Sequence, residues 1–198
     1  MVDTIGVAVR DAQPRERIRA FALHGAGLVL GALLVGLALA LLAAAVAGLS
    51  LASRPVVQIA LSVVALGWAL SAVGAPGLPF PRRRWQVPER WRFALPLDAT
   101  LLFYGVLLGV GFLTDVVFPA FWMFVVLSVL GGDVATIVLA WLVYALLRLA
   151  MTAVWLRDAP GDSLASRFLG WRSVAGATNA LVLLTISAWL LTTFKGGI

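Results

Sequence analysis

Four residues in this 198-residue chain have types that apolar packing alone does not call for: Asp115, Pro119, Arg148 and Asn179. Each stands inside a long apolar run, the first two within "GFLTDVVFPAFW" (111–122). An ionised carboxylate in hydrocarbon costs about 2.5–3.5 kcal/mol even on the most lenient scale, so such a residue faces a bundle interior and finds a partner or stays protonated. Arg148 is the only cation inside another run, which makes an Asp115–Arg148 interaction, direct or through water, the expected pairing. The other reading has Arg148 reaching to the headgroups and Asp115 capping a break in its own helix. Asn179, like Gln58, is expected to hydrogen-bond between helices at about 0.6 kcal/mol. His24, the single histidine, is expected at a solvated mouth of the first run.

No catalytic set assembles from these residues. The chain has no cysteine, which excludes disulfides, thiolate metal sites, iron–sulfur clusters and thiol redox chemistry by this chain. One histidine excludes multi-histidine metal or haem sites. There is no phosphate loop, zincin helix or nucleophile elbow. No enzymatic activity, cofactor or metal is therefore expected.

The elements that must hold these residues are membrane spans. The chain is 62% hydrophobic and 12% charged, with a mean hydropathy of +1.03, against roughly half and a quarter in soluble domains. About 20 apolar residues cross a bilayer as a helix, and five stretches qualify, over about 21–49, 56–75, 97–130, 134–156 and 173–194. The fold class predicted is an all-α integral membrane protein forming one transmembrane domain over 1–198, with a short basic segment over 1–19. The first stretch is far longer than the roughly 7–15 residues of a signal-peptide core, so no cleavage is expected. Residues 99–130 would measure about 48 Å as one straight helix, against about 30 Å of hydrocarbon. Pro119 removes a backbone hydrogen bond, so this third span is expected to be kinked or broken near Asp115–Pro119. "GLVLG" (27–31) and "GVLLG" (105–109) are small-residue patterns that let helices approach closely.

Charge bias predicts the orientation. With the N-terminus in the cytoplasm, twelve basic residues fall inside and only Arg54 and Lys195 outside, Arg148 being the fifteenth. The net charge of +6 therefore reads as a topology signal and not as a nucleic-acid surface. The C-terminus is expected outside, in the cell (inner) membrane. The loop over 78–96 concentrates Arg82, Arg83, Arg84, Trp85, Arg90, Trp91 and Arg92. Two roles suit it: anchoring on anionic lipid headgroups, or docking a cytoplasmic partner.

The order of features resembles the DsbD/CcdA family, the cytochrome c biogenesis transmembrane proteins that carry reducing equivalents across a membrane through a cysteine pair. "GVLLGVGFLTDVVFP" (105–119) is similar to that family's "GF-x-T-P-C-x-x-P" motif at Gly111, Phe112, Thr114 and Pro119. Asp115 stands where the family has proline, and Val116 where it has the reactive cysteine. The stretches 19–41, 56–79 and 137–154 resemble other helices of the family. The resemblance implies a cysteine-less, N-terminally shortened scaffold that cannot carry the family's electron transfer. It would serve as a membrane partner or subunit beside other membrane chains, or alternatively transport a small solute or ion past the broken third helix.

Overall fold

In the computed structural model the described residues are 13–51, 54–81, 94–113, 118–131, 133–157 and 164–194. They form six helices and no strand: α1 (Pro14–Ala47), α2 (Pro55–Ala72), α3 (Leu97–Val110), α4 (Ala120–Gly131), α5 (Val134–Arg157) and α6 (Leu164–Phe194). Four helices are long and apolar enough to cross a membrane: α1, α2, Val134–Val154 of α5 and Ser173–Thr192 of α6. The expectation of five such helices is corrected here. The third stretch is two helices of 14 and 12 residues, about 21 and 18 Å long, each too short to cross about 30 Å of hydrocarbon alone.

Local chemistry explains where the helices start. Pro14 and Pro55 occupy first-turn positions, where the missing N–H costs nothing. Glu16 reaches back to accept a hydrogen bond from the Gln13 N–H at 3.1 Å, closing the N-terminus of α1. At the head of α3, Thr100 Oγ1 donates to the Pro96 carbonyl at 3.1 Å, and Asp98 pairs with Arg19 of α1.

The helices fall into two compact units. The first contains residues 1–38, 83–115 and 135–160, and so most of α1 with α3 and α5. Its helices meet through glycine. A Cβ on Gly27 or Gly31 would overlap the Leu102 or Val106 carbonyl oxygen, and one on Gly105 or Gly109 would overlap that of His24 or Leu28. The two sequence patterns thus pack against each other, and only hydrogen at four positions permits that approach. Contacts at Gly27 to Leu102 and Gly31 to Val106 advance together, so α1 and α3 are parallel. Gly25 meets Leu149 while Gly36 meets Val138 and Trp141, so α5 is antiparallel to α1. Leu28, Ala32, Leu101, Ile137, Trp141 and Ala145 are buried in this unit.

The second unit contains residues 39–82, 116–134 and 161–198. Here α2 and α6 pack antiparallel: Ser187 Oγ donates to the Ser62 carbonyl at 3.0 Å, Ser62 Oγ to that of Ser187 at 3.4 Å, and Gly176 lies against Ala72. Ala65, Ala69, Met123, Ala180 and Leu183 form its core, drawing α4 against both helices. The chain after α2 turns at Gly74 (φ 80) and folds back. Leu78 N–H donates to the Gly67 carbonyl at 3.2 Å, and Trp68 and Trp122 donate to the Pro79 and Pro81 carbonyls at 3.1 and 2.8 Å.

Candidate functional site

Two of the polar residues singled out in the sequence each serve one broken end of the third stretch, Arg148 in the first unit and Asn179 in the second. α3 stops at Gly111, whose φ of 77 is a left-handed conformation that favours glycine. Its N–H donates to the Leu108 carbonyl at 3.1 Å. A helix terminus leaves its last carbonyls without intrahelical partners and carries a partial negative charge. Arg148, from α5 of the same unit, answers both: Nη1 donates to the Leu108 carbonyl at 3.0 Å and to the Tyr144 hydroxyl at 2.8 Å. Tyr144 lies one turn earlier on α5, with its ring centroid 5.5 Å from the guanidinium carbon, and stacks edge-on with Trp141 at 5.4 Å. The alternative in which Arg148 extends to the headgroups is not the arrangement found. Arg148 closes the break from a neighbouring helix instead.

The other broken end has its own cap in the second unit. α4 begins after Pro119, which is fully buried. The Ala120 N–H donates to Asn179 Oδ1 on α6 at 3.0 Å, and the Pro119 carbonyl accepts from Trp122 and Met123 N–H at 3.0 and 3.3 Å. Asn179 makes an interhelical hydrogen bond, as expected, and the structure adds that this bond caps the N-terminus of α4. It is 7% exposed, and its Nδ2 makes no hydrogen bond. Non-helical backbone survives at membrane depth only where protein or a wet cavity satisfies it. Here two long-range side chains do so.

Asp115, and with it the Asp115–Arg148 pairing, lies outside the described residues, as do Arg82, Arg83, Arg84, Trp85, Arg90, Trp91 and Arg92. His24 is not at a solvated mouth. It is fully buried where α1 meets α3, beside the Leu101 backbone, and its ring nitrogens make no hydrogen bond of normal geometry. Its burial follows from the glycine contacts on either side, since Gly105 sits against the His24 carbonyl and Gly25 against Leu149. Tyr144 was not singled out in the sequence, although its position four before Arg148 is the i, i+4 spacing that brings two side chains together. Among the described residues no group of three His, Cys, Asp or Glu could hold a metal ion.

With this geometry in place, comparison with known proteins is informative. Over 170 residues, 85% of this chain and 58% of the relative, it is 28% identical to Methylamine utilization protein MauF of Methylophilus methylotrophus. It is 28% identical over 171 residues to the MauF protein of Methylobacillus flagellatus. Over 115 residues, 58% of this chain and 42% of the relative, it is 35% identical to that of Paracoccus versutus. The chain is similar to MauF. It spans about half the length of the curated relatives it matches. No family model and no solved structure matches it.

These findings overturn the DsbD/CcdA resemblance and what hung on it: the cytochrome c biogenesis-like scaffold, its role as a subunit on that scaffold and the transporter alternative. The matched relatives carry a different name, and no family model supports the earlier one. The physical reason is visible in the break. Gly111 supplies the left-handed turn and Pro119 the buried start of α4. Glycine and proline suit an interrupted membrane helix of any family, so the match at these two of the four positions reports the interruption and not the ancestry.

Proposed function

We propose that this chain is an integral membrane protein of methylamine utilization, acting as an accessory helix bundle and carrying out no reaction itself. The observation that carries this is the similarity to MauF proteins across 85% of the chain. The proposed setting is the cell (inner) membrane, N-terminus in the cytoplasm and C-terminus outside, in contact with anionic headgroups and working beside other membrane chains. In that topology α3 and α4 together make one crossing. The direction of α5 supports this: it begins beside Gly36, further along α1 than Gly31, where α3 ends.

The test is genetic. Deleting the coding sequence in its host is expected to abolish growth on methylamine and spare growth on a substrate without an amine, with plasmid copies restoring it. Unimpaired growth of the deletion strain on methylamine would sink the proposal. Gentle detergent extraction followed by mass spectrometry tests the partner expectation: pathway chains should co-purify, and recovery of this chain alone would remove that part.

A further inference from the structure

We propose that the first unit carries a binding groove for one anionic phospholipid, with an acyl chain lying along α1 beside Leu149 and the phosphate at Arg15. The groove has a volume of about 480 Å³ and is lined by apolar side chains and glycine. Phe21, Ala22, Gly25, Ala26, Val29 and Leu149 are among the residues that line it. Gly25 creates the depth, because a Cβ there would come within 3.1 Å of Leu149 Cδ2. From Phe21 to Leu33 the bed runs about 18 Å along the helix, a length that suits an extended alkyl chain. With no polar lining side chain, it suits nothing hydrated.

Charge at one end selects the headgroup. Seven residues make nearly two helical turns, so Arg15 lies under Ala22 on the same face, within about 20° and about 10 Å nearer the N-terminus. Arg15 is exposed and has no ion pair among the described residues. Arg19, one turn closer, is already held by Asp98 of α3, and Glu16 is occupied by the Gln13 N–H. A free cation at the base of an apolar bed is the complement of a phosphodiester bearing a fatty chain.

The experiment is native mass spectrometry of the full chain in detergent, offered phosphatidylglycerol or phosphatidylcholine with matched acyl chains. Phosphatidylglycerol should be retained about fivefold more, as one arginine at a headgroup provides. Arg15→Gln should equalise the two lipids. Ala22→Phe with Ala26→Phe fills the groove from its exposed side and should abolish retention with unchanged thermal unfolding. Equal retention of both lipids by the unaltered chain overturns the proposal, as does undiminished retention by the filled variant. A dimer that Ala26→Phe dissociates would assign the face to a second copy instead. Should the filled variant fail to fold, Arg15→Gln, outside the groove, still decides.

Discussion

Arg148 and Asn179 do the same job with opposite chemistry. A guanidinium at membrane depth costs about 2.5–3.5 kcal/mol. Hydrogen bonds from a charged donor contribute about 1.5–3 kcal/mol each, and a cation at a helix C-terminus adds about 0.3–1 kcal/mol. Two such bonds and the terminus together contribute about 3.3–7 kcal/mol, so Arg148 offsets its cost with about 2 kcal/mol to spare at mid-range. Arg148→Met is therefore expected to lower detergent-unfolding stability by about 1–3 kcal/mol. A variant as stable as the unaltered chain would dismiss that cap. Asn179 has no such balance. Asn179→Ala leaves the Ala120 N–H without its acceptor, at a cost of about 1–3 kcal/mol. Thr185→Ala, on the exposed face of α6, should stay within about 0.5 kcal/mol and serves as the control. Equal stability of the two variants would dismiss the cap.

At the scale of elements, the seam between α1 and α3 carries the first unit. Four glycines face backbone carbonyls across it, and a methyl group at any of them requires backbone to move. Overpacking typically costs about 1–3 kcal/mol, and with rigid backbone as the neighbour the upper end is expected. Gly31→Ala and Gly109→Ala should each destabilise by about 2–3 kcal/mol in a micelle-unfolding titration. Gly48→Ala, with nothing within 4 Å of the added atom, should be silent. A neutral Gly109→Ala would show that the helices are free to separate there. The second unit is less demanding, because α2 and α6 meet through the paired serines and alanine, with Gly176 the one close approach to Ala72.

For the whole molecule the decisive question is whether the interrupted stretch crosses the bilayer or turns back. The chain has no cysteine, so single introduced cysteines report sidedness without background. Cysteines replacing Ala12, Gln86 and Ala159 should be blocked only by reagents that reach the cytoplasm. Those replacing Ala52, Gly132 and Gly196 should react with impermeant reagent from outside. Labelling of the Gly132 variant from the cytoplasmic side would make α3 and α4 a re-entrant hairpin and remove one crossing. The charge asymmetry weighs against that result.

Much of the scaffold could be read from the residues in order. Apolar length marked the four long spans, and an over-long third stretch with a proline announced its own interruption. These are local properties: each depends on a residue and its near neighbours, which the chain order supplies. What only the tertiary structure decided is which side chain serves which break. Arg148 reaches Leu108 across 40 residues and Asn179 reaches Ala120 across 59. The same holds for the burial of His24 and for the meeting of two glycine patterns more than 70 residues apart. In water a helix advertises its buried face by an apolar stripe. Helices apolar all round carry no such stripe, so the packing face is chosen by close fit between neighbours, and that fit exists only once the chain has folded.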